Sequence, residues 1–231
     1  MKLNSRFFIP ASALAAGLLA LTATIRVSAA ATDENGLIVF THTVGSLSDE
    51  DQLDNIRDVL DRNDRIGGVS IRTSWARLQP EKGRYDLESF ERLLAFLKSR
   101  GMKIGIAFQP GGNGTPRWLR DEGAAVVELV SQGTRGASTV VPAWDPIYMK
   151  RQEEFLRHMA PRVNGDDSIY AVNILGHNTG LEMHMSGGAE NMKRWTAAGL
   201  TREVCLENWK HYIDLYAEIF PKKKLLLTLS N

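Results

Sequence analysis

From residue 37 onward, short apolar, β-branched runs alternate with segments whose apolar residues recur at helical spacing. The runs are "LIVFT" (37–41), "GGVSIRTSW" (67–75), "KIGIAF" (103–108), "SIYAVNILG" (168–176) and "KKLLLTLSN" (223–231). Between the first two, Leu53, Ile56 and Leu60 mark a helix over 49–62. Phe90, Leu93, Leu94 and Leu97 then fall at i, i+3, i+4 and i+7, with Asp86 as the expected N-cap and Gly101 just past the end. Phe155, Leu156 and Met159 turn inward from a helix over 147–160, and Leu206, Trp209, Ile213 and Tyr216 share one face of 203–219. Strict βαβα order predicts a parallel sheet with helices on its outside. The two longest connections, 109–146 and 176–202, both follow strand C-terminal ends. That is the end where (β/α)8 barrels carry their sites. The expected fold is therefore α/β, of the (β/α)8 TIM-barrel type. Such barrels typically need about 250 residues, and the fifth strand here ends at residue 231. The segment 36–231 is thus expected to be the N-terminal portion of a barrel truncated after about five strands, a half-barrel with an open parallel sheet and outer helices.

Charge and composition narrow the function classes. Residues 1–29 read as a secretory signal peptide, with basic Lys2 and Arg6, then "FFIPASALAAGLLALTATI", then small residues. This predicts a secreted or periplasmic protein with no stable membrane insertion after cleavage. Removing Lys2, Arg6 and Arg26 leaves 25 basic residues against 27 acidic, a net charge of −2. A near-neutral chain has no electrostatic footprint for nucleic acid. Cys205 is the only cysteine, so no internal disulfide forms.

Residues 74–87, "SWARLQPEKGRYDL", place two aromatics, a proline and a glycine in the polar connection after the second strand. The pattern W-x-x-L-x-P-x-x-G-x-Y-D, followed by an amphipathic helix and "GMKI", resembles the second βα unit of clan A glycoside hydrolases, families 42, 35 and 10 among them. "GTPRWL" (114–119) is similar to the TP-x-WL that follows strand three in families 42 and 35. "WDPIYMKRQEEFLRHMAPRV" resembles their helix before strand four. The resemblance covers roughly residues 37–185. It implies hydrolysis of O-glycosidic bonds in a poly- or oligosaccharide, with a carbohydrate as the partner and no cofactor.

Sugar rings have apolar faces and polar rims, so their sites combine flat aromatics with hydrogen-bonding groups. Trp75, Trp118 and Trp144 all follow expected strand ends, with Trp118 the preferred stacking platform, whereas Tyr85 reads as a pin for its loop. Glycoside hydrolysis needs two carboxyl groups, and the resemblance puts the acid in an Asn-Glu pair after strand four. Ungapped alignment places Gly176 and His177 there instead. Six residues on, "GHNTGLEMHM" supplies Glu182 behind a glycine-rich approach similar to the strand-four loop of family 14 β-amylases. Glu182 is accordingly the catalytic candidate, with Glu190 a weaker one. Arg72 resembles the clan's strand-two arginine, which supports the nucleophile carboxylate. Gln109, His177, Asn178 and His184 are candidates to bind sugar hydroxyls. His42, His177 and His184 with Glu182 have no metal-ligand spacing of note, so no metal is expected. The rival class is a catalytically inactive carbohydrate-binding barrel, supported by the missing Asn-Glu pair, and a third reading is a non-functional fragment.

Overall fold

A computed structural model describes residues 37–40, 49–111, 114–130, 138–176 and 188–227. In chain order the elements are β1 (Leu37–Phe40), α1 (Asp49–Asp61), β2 (Ile66–Ser74), α2 (Trp75–Leu78), α3 (Glu88–Ser99), β3 (Lys103–Gln109), α4 (Trp118–Asp121) and β4 (Val127–Leu129). They continue with β5 (Ser138–Val140), α5 (Pro146–Asn164), β6 (Ile169–Asn173), α6 (Ala189–Ala197), α7 (Arg202–Ile219) and β7 (Lys224–Leu226). Five strands form one sheet in the order β1-β2-β3-β6-β7, and every neighbouring pair is parallel. Each parallel strand thus lies beside the one before it, the succession found in a (β/α)8 barrel. β4 and β5 make a separate antiparallel pair.

Period-2 alternation assigns the two faces of the sheet. Val69 and Ile71 of β2, Ile104, Ile106 and Phe108 of β3, and Val172 of β6 belong to the main buried cluster with residues of α1, α3, α5 and α7. Ser70, Arg72, Gly105, Ala107, Ala171 and Asn173 therefore face the opposite, inner side. The register agrees: Ser70 pairs with Gly105, and a Cβ on that glycine would sit 3.2 Å from Ser70 Oγ.

The helix ends follow local chemistry, with some departures from the sequence expectation. α3 starts at Glu88, with Leu87 rather than Asp86 at its N-cap and no side-chain cap bond. Acidic Glu88 and Glu91 in its first turn suit the positive end of the helix. Gly101 adopts φ +68°, where the Met102 amide donates to the Leu97 carbonyl and closes the helix. α5 begins at Pro146 beneath Asp145, whose carboxylate accepts from the amides of Ile147 (2.9 Å) and Tyr148 (3.0 Å). It runs through Pro161 to Asn164, four residues past the expected end. The proline removes one backbone bond near the terminus, while buried Met159 and Val163 hold the helix to the core.

The inward face of α7 also differs. Leu206 and Ile213, expected inside, are 53% and 38% exposed, while Trp209, Tyr212, Leu215, Tyr216 and Ile219 are buried. Aromatic residues on adjacent turns offer two overlapping apolar stripes, and the one with the larger rings faces the core. Both long connections carry structure not expected from the sequence: α4 and the β4–β5 hairpin in the first, α6 in the second. Val127, Leu129, Val140 and Trp195 form a second buried cluster that joins the hairpin to α6. Asn191 fixes the joint, its Oδ1 accepting from the Val130 amide at 2.9 Å.

Candidate active site

Two of the expected site residues meet on the inner face at the C-terminal ends of adjacent strands. Arg72 lies near the end of β2, and Gln109 is the last residue of β3. Arg72 Nε donates to Gln109 Oε1 at 2.9 Å. Partial burial lowers the pKa of the guanidinium. An arginine nevertheless keeps its charge at any working pH, so the pair presents a fixed cation at the strand ends. The chain turns tightly behind Gln109. A Cβ on Gly114 would lie 2.3 Å from the Gln109 carbonyl oxygen, and Thr115 Oγ1 donates to the Pro110 carbonyl at 2.7 Å. Only glycine lets that loop fold back onto the strand end.

Trp118 opens α4 and is half-buried. Its indole N–H donates to the Gln79 carbonyl at 3.1 Å, and its ring meets Trp75 edge-on at 6.0 Å. It ties the connection after β3 to the one after β2 while keeping part of its surface open. Trp144 is half-buried in the second cluster. Its N–H donates to the Ala198 carbonyl at 3.0 Å, and its ring packs edge-on against Trp195 at 5.7 Å. Its described partners brace the hairpin and α6.

Trp75 does not line a cleft. It is 0% exposed, ringed by Trp118, Tyr148 and Phe155, and its N–H donates to Gln79 Oε1 at 2.8 Å. Residues 69 and 71 face the helices, and residue 75 continues that parity into the core. With no open face, Trp75 cannot stack on a sugar. Tyr85 stacks on His158 of α5, ring centroids 3.5 Å apart, and so pins its loop to that helix. Glu182, His177, Asn178, His184 and His42 lie outside the described residues. Glu190 sits in the first turn of α6 and accepts from Arg194 Nε at 3.3 Å on an exposed face, as a solvated ion pair does. Among the described residues no group of three or more His, Cys, Asp or Glu could hold a metal ion, and no helix is long and apolar enough to cross a membrane.

Residues 61–219, more than half of the chain, match the family profile of glycoside hydrolase family 42, described as β-galactosidase. The chain belongs to glycoside hydrolase family 42. Solved structures agree on the fold. A β-galactosidase from the psychrophilic Marinomonas ef1 superposes with a TM-score of 0.51 at 14% identity, over 84% of this chain and 37% of its own. The AHE enzyme from Alicyclobacillus herbarius gives 0.50 at 18% identity, over 78% and 37%. GH5_18 from Bifidobacterium longum gives 0.50 at 14% identity, over 78% and 38%. The chain therefore spans well under half the length of each. No curated protein matches the sequence.

Within this family 42 chain, Gly176 has a structural explanation that sequence reasoning missed. A Cβ there would fall 2.6 Å from Cδ2 and 3.0 Å from Cε2 of Tyr212 on α7. Tyr212 is fully buried and anchored, its hydroxyl donating to the Ala143 carbonyl at 2.9 Å, a carbonyl that Asn208 Nδ2 also meets at 3.0 Å. The helix ring fills the space a side chain at the strand end would take.

An ion-pair network ties the connections after β2 and β3 to α5. Glu122, 16% exposed, accepts two bonds from Arg151 of α5, Nε to Oε2 at 2.7 Å and Nη2 to Oε1 at 2.8 Å, and also pairs with Lys82. The Arg151 bonds, reinforced by Lys82, hold the Glu122 carboxyl below its usual 4.5 despite burial. A carboxylate with a depressed folded pKa adds stability that is complete above its unfolded pKa and lost as pH falls through the folded one. Glu122→Gln is expected to cost roughly 1.5–3 kcal/mol at neutral pH. The difference in urea midpoint between the two proteins should shrink below about pH 4.5.

Proposed function

We propose that this chain carries the acid side of a family 42-type glycosidase that hydrolyses O-glycosidic bonds of a β-galactoside or a related oligosaccharide outside the cytoplasm. The observation that carries the reading is the Arg72–Gln109 pair at the C-terminal ends of β2 and β3, in a chain matched to the family over 61–219. In this reading Glu182, on a loop resembling that of family 14 β-amylases, donates the proton to the leaving oxygen. Arg72 keeps the opposing carboxylate ionised, Trp118 offers its open surface to a sugar face, and Gln109, His177, Asn178 and His184 bind hydroxyls. The family resemblance favours retention of anomeric configuration and the β-amylase-like loop inversion. The two outcomes differ in carboxylate separation, about 5–5.5 Å against 6.5–9.5 Å.

A second reading, a carbohydrate-binding barrel without turnover, is favoured by one observation: Tyr212 occupies the space that an Asn-Glu pair would need at Gly176. Glu182→Gln separates the two in the full-length protein. A general acid contributes about 10²–10⁴-fold, and a phenolate leaves without one. The substitution is therefore expected to reduce kcat/KM for lactose by at least about a hundredfold and that for 4-nitrophenyl β-galactoside far less. Equal losses on both substrates would remove the proton-donor role. A wild-type protein that binds sugar and cleaves neither substrate is the binding barrel.

A further inference from the structure

The inner face of the sheet contains a buried acceptor with no donor. Asn173, the last residue of β6, is 1% exposed, and its Oδ1 finds no hydrogen-bond partner among the described residues. Burying an amide oxygen without a donor is unfavourable, and such atoms persist where another molecule supplies the bond.

The register shows what surrounds it. Arg72 pairs with Ala107, and Ile106 pairs with Val172, which sets Ala107 beside Asn173 one step further along. Arg72, Ala107 and Asn173 thus form one row across β2, β3 and β6, and the middle member is only a methyl group. Neighbouring strands lie about 4.8 Å apart, so the outer two backbones stand roughly 10 Å apart. The row beneath, Ser70, Gly105 and Ala171, is equally small. Across this face the register thus sets, in order, a cationic side chain, a methyl group and an unsatisfied amide oxygen, above a row of small residues.

We propose that Asn173 is a ligand-binding residue whose Oδ1 accepts a hydrogen bond from a hydroxyl seated between it and Arg72. A hydroxyl suits both groups, donating to the amide oxygen while accepting from the guanidinium. An ionised carboxylate brings no proton for Asn173, and an ammonium meets the charge of Arg72. The group seated there is therefore the hydroxyl of a ligand that is uncharged at that point. The ligand's identity as a sugar rests on the function proposed above; the hydroxyl contact does not depend on turnover. An ordered water offers the same chemistry and is the competing occupant.

The test uses the full-length protein and calorimetric titration with galactose and its monodeoxy derivatives. Asn173→Ala is expected to weaken galactose binding about three- to tenfold. One monodeoxygalactose should bind the wild type correspondingly worse and lose nothing further in the variant, which identifies the hydroxyl. Asn173→Leu separates binding from folding. Replacing an unsatisfied polar group by an apolar one of similar size leaves Tm unchanged or raised, while galactose affinity falls. Three results overturn the proposal: galactose does not bind the wild type; every deoxy derivative loses the same factor in both proteins, as a bound water requires; or Asn173→Leu lowers Tm together with affinity. Lactose hydrolysis is assayed alongside. Absent hydrolysis with the deoxy-sugar coupling intact removes the glycosidase reading and keeps this one, whereas hydrolysis without coupling does the reverse.

Discussion

Trp75→Ala is expected to lower the unfolding free energy by about 3–5 kcal/mol, the cost of truncating a fully buried large aromatic. Three aromatic neighbours, Trp118, Tyr148 and Phe155, lie with ring centroids 5.6–6.0 Å from it and lose their packing partner together. Gln79, itself buried, also loses the donor to its Oε1, which adds to the loss. A domain rarely holds more than about 5–15 kcal/mol in total, so the variant should sit near the edge of folding. Urea titration followed by far-UV circular dichroism measures the loss. Trp118→Ala is the comparison. That ring is half-buried, so its removal should cost clearly less stability while reducing sugar affinity. If Trp75→Ala kept wild-type stability and lost sugar binding instead, the ring would line the cleft after all.

That contrast also shows what a sequence can carry. The strand–helix alternation was legible because period 2 and period 3.6 are properties of the chain itself, and the five parallel strands fall within a few residues of their expected positions. The pairing of Arg72 with Gln109 follows from two strand ends being adjacent, and chain order already implied that. The three tryptophans were not separable by the same means. All follow strand ends, yet Trp75 inherits the helix-side parity of Val69 and Ile71, Trp118 straddles two loops, and Trp144 serves a separate cluster. The hairpin was missed although "VVEL" and "STVV" alternate acceptably. Three-residue strands give too few periods to stand out against loop composition. The contacts of Tyr212 and Asn173 depend on register and helix packing, which no local pattern encodes.

Gly176→Asn is the second large effect, and it asks why this chain departs from the Asn-Glu pattern. A Cβ at 2.6 Å from a ring carbon cannot be accommodated without movement, and Tyr212 is held at both ring and hydroxyl. Forcing a side chain into a packed core costs about 1–3 kcal/mol, and burying an amide without partners adds about 1–3 more. The expected loss is therefore roughly 2–6 kcal/mol, read from urea unfolding. A cycle with Gly176→Ala and Tyr212→Ala isolates the clash. The double variant should be less destabilised than the sum of the singles by about 0.5–3 kcal/mol, because each removes the other's conflict. Zero coupling, or a Gly176→Asn protein of wild-type stability, would mean that the strand end has room. The missing pair would then be a simple substitution, and Gly176→Asn with His177→Glu should restore it. Strong coupling instead makes Gly176 and Tyr212 one compensated unit. The proton donor proposed above, Glu182, is then outside that unit, six residues further along the chain.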